Sequence, residues 1–135
     1  MPLSVLIALG LLGLFLMLRG RSGEAAARDT DPDQATLDEL ARAGSDLTRP
    51  HEVEFFLHLP DAAAAEAVKQ QLAGEGFRVE IRADTPGDWL CLATREMTPT
   101  LDELRRLRSH LALVAEARDG AYDGWGTTVV SAGDP

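Results

Sequence analysis

The pattern of hydrophobic and polar positions divides the chain into a uniformly apolar beginning and a rhythmic remainder. Pro2 to Leu18 reads PLSVLIALGLLGLFLML, without a charge. As a helix this stretch extends roughly 25 Å, near the short end of a bilayer span. A helix packed on a water-soluble core keeps a polar face, and this one has none. Gly10 and Gly13 are tolerated in membrane helices. Two readings compete, a cleaved signal peptide and a retained anchor. A signal peptide carries positive charge before its apolar stretch. Here only the amino terminus precedes it, while Arg19 and Arg21 follow directly and Arg28 comes later. Ala25-Ala26-Ala27 imitates a cleavage site but lies beyond the two nearest arginines. Positive charge on the C-terminal side keeps that side in the cytoplasm. Residues 1–18 are therefore expected to form a single-pass anchor in the inner (cytoplasmic) membrane, with the rest of the chain in the cytoplasm.

Residues 19–31 are small and polar and read as a flexible linker, able to reach roughly 40 Å when extended. Asp31-Pro32-Asp33-Gln34 opens a short helix: Asp31 as N-cap, Pro32 in the first turn, Gln34 completing a capping-box pattern. Leu37, Leu40 and Ala41 form its apolar stripe, and Gly44 stops it. His51–Leu59 then alternates Val53, Phe55, Leu57 and Leu59 against Glu52, Glu54, Phe56 and His58, which predicts a strand. A helix starts at Pro60-Asp61, turns Ala65, Val68 and Leu72 inward, and ends at Gly74 and Gly76. Phe77–Ala83 alternates again. In the turn 84–88, Pro86 and Gly87 suit the central positions of a type II turn. Trp89–Met97 is apolar on both faces at WLCLA, as a central strand is. Thr100 and Glu103 cap a helix carrying Leu101, Leu104, Leu107, Leu111 and Val114. Ala121–Val130 is the last predicted strand. The fold class is α+β: a ferredoxin-like βαββαβ sandwich over residues 32–130, preceded by the short helix. Both crossovers are expected to be right-handed, with the helices on one face of the sheet and the other face open.

Charge changes the picture of what this domain meets. The chain has a net charge of -9, and residues 51–130 hold fourteen acids against eight bases. Nucleic-acid phosphates call for a basic footprint, so direct nucleic-acid binding is not expected. A basic protein partner is. The one cysteine, Cys91, lies in an apolar run and reads as a small buried hydrophobe. His51, His58 and His110 show no metal-ligand spacing such as HExxH, and no phosphate loop or nucleophile elbow appears. No metal, cofactor or catalytic activity is expected. Arg105, Arg106 and Arg108 read as a solvated face partly paired with Asp102 and Glu103.

Four segments in order carry a family resemblance: GSDLTRP at 44–50, EVEFFLHLPD at 52–61, DWLCLATREM at 88–97 and YDGWG at 122–126. They resemble the family of RraB, regulator of ribonuclease E activity B, over about Leu37 to Val130. The resemblance implies a ferredoxin-like domain that binds ribonuclease E and reduces its cleavage of RNA without catalysis of its own. The chain departs from the usual soluble member in its apolar N-terminal segment and shows no extended acidic tail.

The residues chosen as partner-binding are Phe56, His58, Tyr122, Asp123 and Trp125. Trp125, between two glycines, is either an exposed anchor or a core residue, and the core reading is preferred. Asp123 is then expected to be exposed and partner-facing, with Tyr122 divided between the two roles. Phe56 and His58 point opposite to Val53, Phe55 and Leu57, so Phe56 lies either on the open face in a protein-binding role or buried beneath residues 34–50. An RNA-binding module of similar topology would stack bases on Phe56, but Glu54 is its same-face neighbour and the RNP pattern is absent. That module, and a membrane-tethered adaptor for some other basic protein, are the alternatives to ribonuclease E regulation.

Overall fold

A computed structural model of the chain describes residues 31–131. Among these no helix is long and apolar enough to cross a membrane. The anchor expected at residues 1–18 and the linker up to residue 30 lie outside the described residues. Seven elements follow in order: α1 (Pro32–Arg42), β1 (His51–Leu59), α2 (Ala62–Gly74), β2 (Arg78–Thr85), β3 (Asp88–Met97), α3 (Leu101–Glu116) and β4 (Ala121–Gly126). The strands form one antiparallel sheet in the order β2-β3-β1-β4. The α+β order read from the periodicity is thus present, with β3 and β1 as the two central strands.

The residues form two compact units. One holds residues 31–53, 96–105 and 126–131 of the described range. In it the Asp31 carboxylate caps α1, accepting from the amides of Asp33 (2.8 Å) and Gln34 (3.3 Å), and accepts from Arg105 Nε at 2.7 Å. Gln34 does not complete the capping box, because its amide donates to Asp38 at 2.8 Å. Leu37 and Leu40 are buried, but Ala41 is exposed, and Asp33 and Thr36 take up the rest of the inner face. Thr36 satisfies its hydroxyl by donating to the Pro32 carbonyl at 3.1 Å.

The same unit contains a polar latch. The Val130 amide donates to Ser45 Oγ at 3.0 Å, and Ser45 Oγ lies 2.6 Å from His51 Nε2. His51 Nδ1 faces the Arg49 carbonyl at 2.8 Å. A carbonyl only accepts, so Nδ1 carries the proton and Nε2 accepts from the serine. The Asp46 amide donates to the Val130 carbonyl at 2.6 Å, and Arg49 Nη1 to the Ser131 carbonyl at 2.8 Å. Thr127 Oγ1 donates to the Glu52 carbonyl at 2.6 Å. These bonds explain why β4 stops at Gly126 and not at Val130 as the β-branched run predicts: residues 127–131 bond to residues 45–52 instead.

The second unit comprises residues 54–95 and 106–125. Its core includes Phe55, Leu57, Val68, Leu72, Phe77, Cys91, Ala93, Leu107, Leu111 and Trp125. Phe55 and Phe77 meet edge to face at 5.8 Å between centroids. Helix α2 packs on β2 and also on β3, where the Cys91 thiol donates to the Ala65 carbonyl at 3.4 Å. The β2–β3 hairpin closes with Thr85 opposite Asp88, leaving Pro86 and Gly87 as a two-residue loop. Gly87 has φ +81, as the third position of a type II turn requires.

Candidate functional site

Strand order puts His58 between two acids. It stands near the end of β1, and β1 lies between β3 and β4. Asp88 opens β3 and Asp123 lies in β4. His58 Nδ1 is 2.8 Å from Asp88 Oδ1, and His58 Nε2 is 3.0 Å from Asp123 Oδ2. Carboxylates accept, so both ring nitrogens donate when both bonds are made, and the ring is then an imidazolium. Burial is the largest single influence on its pKa and acts to lower it. The hydrogen bonds from Asp88 and Asp123, with the charges of both, outweigh burial and raise it above the ordinary 6.5.

The backbone beside the ring is tightly held. Asp119 and Gly120 make the turn between α3 and β4, with Asp119 at φ 61. A Cβ on Gly120 would lie 2.3 Å from the His58 carbonyl oxygen and 2.7 Å from Leu59 Cδ1, so only glycine lets the turn approach β1. A shallow, open depression results, lined by His58, Pro60, Gly87, Asp88, Asp119 and Gly120. Its charged lining is acidic apart from the imidazolium.

The five residues chosen from the sequence do not make one exposed surface. His58 and Asp123 are in contact. Asp123, expected to be exposed, is only 6% exposed. The imidazolium beside it compensates a carboxylate that burial would otherwise penalise. Phe56, divided between an open-face role and burial, is buried. Trp125 is 0% exposed, which agrees with the core reading, and Tyr122 is half-buried. Asp88 was missed altogether. The available signal was positional: three of the four resemblance segments each contribute one member of the cluster, namely His58, Asp88 and Asp123. The fourth, GSDLTRP, supplies Ser45, Asp46 and Arg49 to the latch.

Among the described residues no trio of His, Cys, Asp or Glu is arranged to hold a metal ion. In the cluster, the carboxylates address the ring nitrogens and not a shared centre. Chemically the arrangement joins three strands, and while the ring is protonated it has no lone pair with which to take a proton from a substrate.

A family model described as regulator of ribonuclease activity B, RraB, matches residues 30–127, from the cap of α1 through β4. A regulator of ribonuclease activity B from Pseudoalteromonas atlantica is 29% identical over 111 residues, which is 78% of this chain and 95% of that protein.

Proposed function

Because this chain belongs to the RraB family, regulators of ribonuclease activity, we propose that it is a non-catalytic, ferredoxin-like protein that binds a ribonuclease, ribonuclease E in the first instance, and slows its cleavage of RNA. The observation that carries this reading is the family match over every described element from α1 to β4. Two features support it. The net charge of -9 suits a basic protein surface better than RNA. His58, the most catalyst-like side chain, has both nitrogens committed to carboxylates.

The finer part of the proposal is location. Residues 2–18 hold the domain at the inner membrane, facing the cytoplasm, where tethering raises its effective concentration for a membrane-associated ribonuclease. The charge bias around the apolar segment supports this orientation.

The test is an RNA-cleavage assay with purified ribonuclease E, a labelled RNA and the full chain in detergent. Cleavage slows in proportion to enzyme bound, and the effect weakens as salt screens the acidic contacts. Unchanged cleavage, or tight binding of RNA by the chain itself, refutes the reading and favours the adaptor or the RNA-binding alternative. For the location, protease added to intact spheroplasts leaves the domain whole. Digestion there, or a mature chain beginning near Arg28, refutes the anchor.

A further inference from the structure

We propose that His58 is a proton-operated clasp: its imidazolium ties the β2–β3 hairpin to β1 and β4, and loss of the proton frees the hairpin tip while the bond to β4 persists. The device is a property of the fold and holds whichever partner the domain binds.

The direction of release follows from the geometry. A neutral imidazole has one N–H, so it can satisfy only one of two carboxylates. The two are not equivalent. The Asp123 side chain is 8% exposed and that of Asp88 is 38% exposed. A carboxylate in water keeps its hydration when a partner is withdrawn, whereas a buried one does not. The remaining proton therefore stays on Nε2, against Asp123. Nδ1 is left with a lone pair facing Asp88 Oδ1 at 2.8 Å, an acceptor against an acceptor. Repulsion moves Asp88, and with it the Pro86-Gly87 loop that precedes it. The backbone of His58 stays in place, because the turn at Gly120 approaches its carbonyl too closely to admit even a Cβ.

The charged groups facing the ring come from three places: Asp88 from β3, Asp123 from β4, and Asp119 from the α3–β4 turn at the rim of the same depression. No lysine or arginine lines that depression. Asp88 and Asp123 hold the proton on. With the folded value raised, the clasp contributes its full stability below about pH 6.5, the ordinary histidine value, and loses it as pH rises through the folded value. The switch thus opens on the alkaline side.

The experiment is a ring and backbone ¹⁵N NMR titration of the full-length chain in detergent micelles, from about pH 5 to about pH 9. Below the midpoint of its titration, both ring nitrogens of His58 are expected to show the protonated signature. The midpoint lies above 6.5, and the Gly87 and Asp88 amides shift with that midpoint. Above it, the proton is found on Nε2. Asp88→Asn lowers the midpoint and removes the pH dependence of the Gly87 amide. If that variant fails to fold, the titration of the natural chain decides alone. A midpoint at or below 6.5 overturns the clasp. So does a neutral ring protonated on Nδ1, or a hairpin tip that does not respond to the titration.

Discussion

Replacing Trp125 with alanine separates a core residue from a binding anchor. The indole is 0% exposed, so nothing of it is available to a partner in the folded chain. Truncation removes the largest fully buried side chain of the described residues and leaves a cavity. Such a change costs about 3–5 kcal/mol when the surroundings relax only partly. A domain of this size has about 5–15 kcal/mol in all. With a urea slope of about 2 kcal/mol per M, a loss of about 4 kcal/mol lowers the midpoint by about 2 M. The assay is urea unfolding followed by far-ultraviolet circular dichroism, on the natural chain and on Trp125→Ala, with equal slopes as the check on two-state behaviour. A variant whose midpoint lies within about 0.3 M of the natural chain refutes the reasoning, and if it had also lost its partner, Trp125 would be an anchor after all.

Asp123→Lys places an ammonium against the His58 imidazolium in a buried position, and should cost about 3–5 kcal/mol, read as a fall in melting temperature. An unchanged melting temperature would return Asp123 to the surface. Gly120→Ala drives a Cβ to 2.3 Å from the His58 carbonyl. The backbone must shift, at a cost of about 1–3 kcal/mol by the same urea assay. Ser45→Ala leaves the Val130 amide and His51 Nε2 without their shared partner, which costs about 1–3 kcal/mol, and speeds amide exchange at Val130. The Cys91 thiol, pushed up to about 11 by burial and then by the charge of Glu66, should react with a thiol reagent at neutral pH only when urea unfolds the chain. Fast reaction in the native state would contradict its burial.

Local chemistry was legible where one stretch of chain decides the outcome. The strand at HEVEFFLHL, the helix start after Pro60-Asp61, the cap at Thr100 and the Pro86-Gly87 loop all appear where the sequence placed them. What escaped was whatever depends on distant segments. His58 meets Asp88 from 30 positions away and Asp123 from 65. An aspartate reads as exposed by default, because burial of a charge is rare without a partner. Here the partner comes from a neighbouring strand. The end of β4 was overestimated for the same reason: Thr127, Thr128, Val129 and Val130 have strand-like side chains, yet the polar groups that claim residues 127–131 belong to residues 45–52.

The latch between Ser45 and Val130 also sets an order of events. Its two sides are 85 positions apart, so every strand, turn and helix between them must be synthesised before it can close. Closing so long a loop carries an entropic cost that nearby contacts do not, and such contacts tend to form late. On the ribosome, the clasp at His58 has all its members once Asp123 has emerged, whereas the latch must wait for Val130 and Ser131. A chain cut back to Gly126 would therefore keep every strand and still leave the carbonyls of Arg49 and Glu52 in different situations. The His51 bond to Arg49 survives, but Glu52 loses the Thr127 hydroxyl and Ser45 loses the Val130 amide. The five residues after the last strand thus complete the hydrogen bonding of residues 45–52 only once the chain has been made as far as residue 131.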